Sequence, residues 1–187
     1  IKNVVNVLKT IGHDNTLLVV SAMGKTTNAM EVVVNNYFKN KTELQASVQE
    51  VVKYHNDILL ALFENDKHPV FKQVKLLFDE ILGFLAWNKS PKYSFVYDQV
   101  VGYGELISTT IISAYFNEVG LKNEWVDIRN FIKTDDNYRD ANINWEKTQA
   151  LISKGINRKT LNITQGFLGS DDNNFTTTLG REGSDYT

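Results

Sequence analysis

The stretch ITQGFLGSDDNNFTTTLGREGSDYT, residues 163–187, decides how the fold of this chain is interpreted. A short apolar run ends at Gly166 and Gly169, a polar loop follows, and a Thr-rich segment leads to Gly180 and Gly183. This order predicts a strand, a loop and then the start of a helix. Glycines let the backbone bend close to a ligand, and the free N–H groups of a helix N-terminus attract anions. We therefore expect an anion-binding loop at the end of this strand.

Three polar side chains near the end of the stretch are candidate ligand-binding groups. Arg181 lies between two glycines, and a guanidinium can hold a carboxylate with two parallel hydrogen bonds. Ser184 and Asp185 are residue types that cap a helix N-terminus. On the residues alone, a surface position for Arg181 and a purely capping role for Ser184 and Asp185 remain open alternatives.

Apolar runs elsewhere in the chain predict two more strands. Residues 16–20 form a short run of the kind found in buried parallel strands. Residues 125–128 indicate a second strand. Apolar residues at helical spacing lie between the strands, at residues 1–11, 30–38, 105–119 and 145–154. Because strands separated by helices are typical of parallel sheets, the chain is predicted to have an α/β fold.

The loops that follow the predicted strands are expected to form one crevice. In open parallel sheets, ligands bind beyond the carboxyl ends of the strands. Ser21, residues 127–129 and residues 166–169 all lie just after a predicted strand. The sequence therefore predicts that these three loops converge on a single ligand-binding crevice.

Residues 42–87 differ from the rest of the chain, because they carry two long apolar stripes at helical spacing. Residues 65–69 separate the stripes, so this segment is predicted to be a hairpin of two helices. We expect these stripes to belong to the core rather than to an interface. His55 and His68 stand apart from other catalytic residue types, and we expect both at exposed positions or helix ends.

Two short segments suggest ligand sites that the residues do not support. Gly24-Lys25-Thr26 follows a strand, but a phosphate-binding P-loop requires a glycine where this chain has Val19. A plain strand-to-helix loop capped by Thr27 or Asn28 is the alternative. Residues 171–174 lack the spaced ligands and the final Glu of a calcium loop, so we predict a solvated loop there.

The composition is that of an ordinary globular domain. The 187 residues are 42% apolar and 22% charged, with a net charge of −2, so neither nucleic acid nor a membrane surface is an expected partner. Small molecules or other protein chains are the expected partners. The chain has no cysteine, which excludes disulfides and Cys-based zinc sites and fits a reducing cytoplasm. No apolar stretch reaches the length of a membrane span.

Four segments, in the same order along the chain, resemble the aspartate kinases of the amino acid kinase family. The final TTTLGREGSDYT is similar to the family's TTLGRGGSDYT. Three upstream segments resemble other family motifs: LLVVSAMGKTTNAM (residues 17–30), GYGELIST (residues 102–109) and VDIRNFIKTDDNYRDANI (residues 126–143). The resemblance covers nearly the whole chain.

The resemblance implies a fold and an activity. The implied fold is a three-layer αβα sandwich with a mainly parallel central sheet, in which residues 1–187 are a partial catalytic domain and residues 42–87 a helical hairpin insertion. The implied activity is the ATP-dependent phosphorylation of the β-carboxylate of L-aspartate to 4-phospho-L-aspartate, the first step of lysine, threonine and methionine biosynthesis. ATP with Mg²⁺, a homodimer and a cytoplasmic location are implied with it.

The resemblance also assigns roles to residues of this chain, with no metal ligand among them. The implied catalytic residues are Ser21 and Asp185. The implied substrate-binding residues are Thr27, Glu105, Arg181 and Ser184, with Glu105 receiving the α-amino group of aspartate and Arg181 a carboxylate. Supporting roles fall to Asp127, Arg129, Thr134, Asp135 and Asp136. On the residues alone, Glu105 could instead act only on the helix dipole, and the supporting charges could form a structural ion-pair network.

The chain departs from the family pattern in several places. The family's N-terminal strand K-F-G-G-[ST] and the nucleotide-binding half that follows SDYT are not in this sequence, so we expect the chain alone to be inactive. Glu182 and Lys25 stand where the family usually has Gly. The alternatives are another kinase of this fold, acting on glutamate, acetylglutamate or a nucleoside monophosphate, and a degenerate kinase domain that binds an amino acid or a partner protein.

Overall fold

A parallel sheet of three strands forms the centre of the computed structural model, which describes residues 1–180 and Thr187. The strands are β1 (Leu17–Val20), β2 (Asn123–Val126) and β3 (Leu161–Gln165), and β3 lies between the other two. Val20 is opposite Gln165, and Val126 is opposite Thr164. All three strands therefore end at the same edge of the sheet, as the sequence predicts. Every residue of β3 is buried, as expected for a central strand.

Helices surround this sheet along the part of the chain from residue 1 to residue 180. They are α1 (Lys2–Ile11), α2 (Thr26–Lys39), α3 (Lys41–Leu62), α4 (Pro69–Trp87), α5 (Tyr93–Val101), α6 (Tyr103–Glu118) and α7 (Trp145–Gly155). Helix α6 contacts all three strands and is buried along most of its length. A helix that is apolar on nearly all sides is expected at such a central position. None of the helices in the described residues is long and apolar enough to cross a membrane.

The two long helices predicted for residues 42–87 are present as α3 and α4. They lie next to each other in sequence, but α3 packs mainly on α2 and α4 packs mainly on α6. Their apolar stripes belong to the main hydrophobic core, through buried residues such as Val51, Leu59, Val74 and Ile81. The assignment of this pair as an insertion within a partial catalytic domain of residues 1–187 stays a prediction.

The two histidines of this region behave differently. His68 is the N-cap of α4, where its Nδ1 accepts a hydrogen bond from the N–H of Val70 at 3.2 Å, so the predicted helix-end position is confirmed. The prediction for His55 is wrong, since His55 is fully buried on α3. Its Nδ1 lies 2.8 Å from the carbonyl oxygen of Val51, which gives the buried ring a polar partner.

The segment after β3 differs from the prediction of a strand over residues 161–167 followed by a polar loop, and the predicted helix start lies outside the described residues. The strand ends at Gln165 because Phe167 adopts a left-handed backbone conformation, with φ at 70°. The chain then forms an antiparallel hairpin of β4 (Leu168–Ser170) and β5 (Thr176–Thr178). β-Branched threonines favour a strand, a preference that the prediction of a polar segment overlooked.

Three smaller predictions are also wrong. Helix α2 starts at Thr26, so neither Thr27 nor Asn28 caps it, and β2 ends before Asp127. The hairpin loop 171–174 is only partly solvated, because Asp171 is 3% exposed. Its Oδ1 accepts hydrogen bonds from the N–H groups of Asn173 and Phe175, which closes the turn from inside.

Candidate active site

The first turn of α6 and the loop after β1 form one closely packed unit at the carboxyl edge of the sheet. The hydroxyl of Ser108 donates to the carbonyl oxygen of Ser21 at 2.8 Å. Gly104 brings the two segments together, since a Cβ on this residue would lie 3.1 Å from the Cβ of Ala22. A glycine is therefore required at the closest approach of the helix to the loop.

Glu105 is the central ionisable group of this unit. Its side chain is buried in the first turn of α6, and the residue is only 2% exposed. Oε1 accepts a hydrogen bond from the N–H of Ala22 at 3.2 Å. Oε2 is also buried, and it has no hydrogen-bond partner among the described residues. A buried polar atom without a partner costs free energy, so this oxygen is a candidate ligand-binding atom.

The electrostatic environment of Glu105 is unusual for a carboxyl group. Burial raises the pKa of Glu105 from 4.5 to about 7, although the Ala22 N–H acts in the opposite direction. A carboxylate at this position therefore gains most from a positively charged partner that reaches it inside the protein. The position in the first turn of α6 also agrees with a favourable helix-dipole interaction, and the two roles are compatible.

The loop after β1 has a fixed shape. Gly24 adopts a left-handed conformation with φ at 55°, and a Cβ on this residue would collide with the hydroxyl of Tyr54. The hydroxyl of Thr26 donates to the carbonyl oxygen of Met23 at 2.6 Å. Ser21 is exposed at the end of β1, and Thr27 is half-buried in the first turn of α2. Both therefore lie in or beside the loop that carries the Glu105 partner Ala22.

Asp127 and Arg129 form an ion pair at the end of β2. Oδ2 of Asp127 lies 2.7 Å from the Arg129 guanidinium, and Oδ1 accepts from the Arg129 Nε at 2.9 Å. The guanidinium also donates to the hydroxyl of Thr176 in β5 at 3.0 Å. This geometry supports the structural alternative for these two residues, because both link β2 to the hairpin. Their supporting role at the site stays a prediction.

Thr134 and Asp135 begin a loop that closes on itself. The hydroxyls of Thr134 and Thr177 are 2.7 Å apart, and both residues are buried. Asp135 is exposed, and its carboxylate accepts hydrogen bonds from the backbone and side-chain amides of Asn142 at 2.9 and 2.7 Å. Asp136 is exposed as well. The predicted supporting roles of Thr134, Asp135 and Asp136 therefore remain predictions, while the observed contacts hold the loop itself.

Asp98 is a buried acidic residue that the sequence interpretation missed. It is fully buried at the end of α5. Its carboxylate accepts hydrogen bonds from the N–H and hydroxyl of Thr178, at 2.9 and 2.8 Å, and from the N–H of Arg139 at 3.0 Å. Burial raises the pKa of Asp98 from 3.8 to about 6, against the effect of these hydrogen bonds. The sequence signal for this burial was the position of the aspartate within the apolar run FVYDQVV.

Gln99, next to Asp98, binds the same strand. Its Nε2 donates to the carbonyl oxygen of Thr176 at 2.7 Å, and its Oε1 accepts from the N–H of Thr176 at 3.1 Å. The N–H of Ala141 donates to the carbonyl oxygen of Thr178 at 3.0 Å. Helix α5 and the loop before α7 thus fix β5, the strand that runs towards Gly180.

Four residues of the predicted site lie outside the described residues: Arg181, Glu182, Ser184 and Asp185. Gly180, which precedes them, is buried and has a left-handed backbone with φ at 78°. Its position is tight, since a Cβ there would lie 2.6 Å from Oδ1 of Asp140. Within residues 1–180, no group of three or more Asp, Glu or His side chains is arranged to hold a metal ion.

The chain has an α/β fold with a buried carboxylate at the carboxyl edge of its parallel sheet. The sequence profile of the amino acid kinase family matches residues 1–187, and the chain therefore belongs to this family.

The relatives and solved structures that resemble the chain are aspartokinases. It is 28% identical over 198 aligned residues to the chloroplastic bifunctional aspartokinase/homoserine dehydrogenase 2 of Arabidopsis thaliana, covering 100% of this chain and 21% of the relative. It is 31% identical over 139 residues to the lysine-sensitive aspartokinase 3 of Escherichia coli K12, covering 70% of this chain and 30% of that protein.

A crystal structure of E. coli aspartokinase III in complex with aspartate and ADP, in the R-state, superimposes with a TM-score of 0.85. The identity is 25%, and the match covers 100% of this chain and 41% of that one. This likeness confirms the predicted three-layer αβα sandwich with a mainly parallel sheet. The chain spans about a fifth to a third of the curated relatives named above.

Proposed function

We propose that the intact protein is an aspartate kinase, which transfers the γ-phosphoryl group of ATP to the β-carboxylate of L-aspartate. The observation that carries this proposal is the buried Glu105, whose Oε2 has no partner among the described residues. The likeness to an aspartokinase structure with bound aspartate and ADP supports the choice of substrates. The product is 4-phospho-L-aspartate, and the reaction belongs to amino-acid biosynthesis.

Glu105 is proposed to bind the α-ammonium group of L-aspartate. An ammonium ion has three N–H donors and a positive charge, and it is the ordinary partner of a desolvated carboxylate. The ligand would supply the hydrogen bond that Oε2 does not receive from the described residues, while the Ala22 N–H continues to hold Oε1. Binding would then stabilise the ionised form of Glu105, whose pKa burial raises.

The rest of the substrate is assigned to other residues of the predicted site. We propose that Arg181 binds the α-carboxylate of aspartate, and that Thr27 and Ser184 contact its reacting end or the groups next to it. Ser21 and Asp185 are proposed to act next to the transferred phosphoryl group. For Ser21 and Thr27 the support is their position in and beside the loop that holds Glu105. For Arg181, Ser184 and Asp185 the support is the sequence resemblance.

The proposed chemistry is a direct displacement at phosphorus. An oxygen of the β-carboxylate forms a bond to the γ-phosphorus of ATP, the bond from that phosphorus to the β,γ-bridging oxygen breaks, and ADP leaves. A carboxylate is ionised at neutral pH and needs no general base, so the protein acts by positioning and by electrostatic stabilisation. Mg²⁺ is proposed as the ion that accompanies ATP. Among the described residues, no group of three or more Asp, Glu or His side chains is arranged to hold it.

The proposal is tested by ADP release from Mg-ATP with the intact gene product and L-aspartate, L-glutamate or no acceptor. Turnover that requires L-aspartate and is lost in the Arg181→Ala variant supports both the substrate and the role of Arg181. Turnover with another acceptor would support a kinase of this family and would show that aspartate is not its substrate. No turnover with any acceptor favours a domain that binds ligands without catalysis. A homodimer, a cytoplasmic location and the inactivity of residues 1–187 alone stay predictions.

A further inference from the structure

We propose that His55, on helix α3, is a positioning residue for the loop after β1, and through this loop for Glu105. His55 does not itself face the proposed ligand. Its expected effect on the KM rests on the proposed aspartate kinase activity, whereas its expected effect on the loop does not.

The contacts that carry the inference run from α3 to Glu105 without a gap. Nε2 of His55 lies 3.4 Å from the hydroxyl of Thr26, and this hydroxyl donates to the carbonyl oxygen of Met23 at 2.6 Å. Ala22, the residue before Met23, donates its N–H to Oε1 of Glu105. A shift of the His55 ring would therefore reach the hydrogen bond that the N–H of Ala22 donates to the Glu105 carboxylate.

The His55 ring is held firmly enough to act as a support. It is fully buried, with its plane nearly perpendicular to the ring of Tyr54 at a centroid distance of 5.2 Å. Because a carbonyl oxygen only accepts hydrogen bonds, Nδ1 must donate to Val51, and a neutral ring leaves Nε2 as an acceptor. The Thr26 hydroxyl has a single proton, so its contact with Nε2 at 3.4 Å is the weaker branch of a hydrogen bond shared with the carbonyl oxygen of Met23. Burial lowers the pKa of the ring and so favours this neutral form.

Tyr54, the neighbour of His55, supports the same loop at a second point. Its hydroxyl lies where a Cβ of Gly24 would be, so a larger residue at this position would displace Tyr54 and would also have to adopt the left-handed backbone of Gly24. Two consecutive residues of α3 thus meet the loop on either side of Lys25, one at Gly24 and the other at Thr26. Such paired contacts restrict the loop more than either would alone, because they oppose movement at two points.

The decisive experiment compares His55→Phe with wild type in the intact gene product. Phenylalanine keeps a ring of similar size but removes both nitrogens. We expect the KM for L-aspartate to rise by about two-fold, the effect of losing one weak, shared hydrogen bond, while the KM for ATP stays unchanged. The matched control is Leu59→Ala on the same helix, which removes a fully buried side chain that makes no polar contact with the loop. It should lower stability and leave the KM for L-aspartate unchanged.

A double-mutant cycle separates positioning from general destabilisation. Thr26→Val removes the hydroxyl that faces His55, and Thr26→Ser restores it. If the two residues act through each other, His55→Phe combined with Thr26→Val should raise the KM little more than Thr26→Val alone. Effects on the KM that multiply independently would overturn the proposal, as would a His55→Phe variant that behaves like Leu59→Ala. If His55→Phe does not fold, the comparison of Thr26→Val with Thr26→Ser tests the same contact.

Amide hydrogen exchange tests the positioning role of His55 independently of the proposed function. If wild type shows no aspartate-dependent turnover, the proposed function fails, but the loop can still be examined. We expect the amides of Ala22 and residues 24–26 to exchange faster in His55→Phe than in wild type, with α7 unchanged as an internal reference. Equal exchange in the two proteins would overturn the positioning role whatever the activity.

Discussion

The two buried carboxyl groups of this protein, Glu105 and Asp98, differ in how many hydrogen bonds they receive. Both residues are at most 2% exposed. Asp98 accepts three hydrogen bonds, from Thr178 and Arg139, and both of its oxygens are used. Glu105 accepts one on its carboxylate from Ala22, and its second oxygen is unpaired among the described residues. The two groups are similarly buried but have different roles: Asp98 stabilises the fold, whereas Glu105 is suited to binding a ligand.

The largest expected effect follows from removing the charge of Glu105. Glu105→Gln keeps the shape and an oxygen for the Ala22 N–H, but it leaves a buried ammonium ion without its carboxylate. We expect kcat/KM for L-aspartate to fall by about 100- to 1000-fold, as is typical when one partner of a buried charge pair is lost. Steady-state kinetics of the intact gene product would measure this. A decrease below five-fold would mean that Glu105 does not bind the substrate.

The second prediction concerns Asp98. Asp98→Ala leaves the buried N–H groups of Thr178 and Arg139 without an acceptor, so the free energy of unfolding should fall by about 3 kcal/mol. Asp98→Asn is the matched control. Its amide oxygen can accept from both N–H groups, and its amide nitrogen can donate to the Thr178 hydroxyl, so the loss should be small. Urea unfolding of both variants provides the measurement, and equal losses would contradict this explanation.

The pH dependence of stability distinguishes the two carboxyl groups. A folded-state pKa raised above the unfolded value means that the folded protein binds more protons, so stability falls as pH rises through the window between the two values. For Glu105 the window runs from 4.5 to about 7, and the total loss is at most about 3 kcal/mol. For Asp98 it runs from 3.8 to about 6. Of the two carboxyl groups, Glu105 should therefore contribute most of the slope between pH 6 and 7, while His55, whose pKa burial lowers from 6.5, adds a slope of opposite sign.

Unfolding measurements without ligand, from pH 4 to pH 8, test this assignment. Glu105→Gln should flatten the curve between pH 6 and 7, whereas Asp98→Asn should flatten only its lower part. In kinetics the sign is reversed, because only ionised Glu105 can pair with an ammonium ion. The KM for L-aspartate should therefore rise as the pH falls below about 7, approaching ten-fold per pH unit. A KM that is independent of pH between 5 and 7 would reject the proposed pairing.

The smallest expected effects come from a pair of glycines. A Cβ at Gly104 would lie 3.1 Å from Ala22 and 3.3 Å from Thr26, whereas nothing lies within 4 Å of a Cβ at Gly83 on α4. Gly83→Ala should raise the free energy of unfolding by about 0.5–1 kcal/mol through helix propensity. Gly104→Ala should not raise the free energy of unfolding, and it should raise the KM for L-aspartate a few-fold. Equal stabilisation by both substitutions would show that α6 and the loop after β1 can separate.

The parallel sheet could be predicted from the sequence because its signals are local. Residues 16–20, 125–128 and 161–167 each indicate a strand without reference to the rest of the chain, although of the three strands only β3 is fully buried. Because parallel strands end at one edge of the sheet, the loops that follow them lie together, and ligand sites are expected at that edge. Glu105 was identified through the resemblance of GYGELIST to a family motif, since an acidic residue in a first helical turn is unremarkable by itself.

One feature that the sequence interpretation missed had a local signal. His55 lies at helical spacing between Val51 and Leu59 on the buried face of α3, so the apolar stripe indicates its burial. Other missed features depend on contacts between distant segments. The hairpin of β4 and β5 depends on Asp98 and Gln99, which lie about 80 positions earlier in the chain. For Arg181, Ser184 and Asp185, the sequence remains the basis of the predicted roles.

Gln99 has a further consequence for how this protein behaves at high concentration. The outer edge of β5 carries backbone groups that another chain would use to add a strand, which is a common start of aggregation. The Gln99 amide occupies both backbone groups of Thr176, while Asp98 and Ala141 occupy those of Thr178. Helix α5 and the loop before α7 thus cover this edge of the hairpin, and replacing Gln99 by a shorter side chain should leave both backbone groups of Thr176 without their partner.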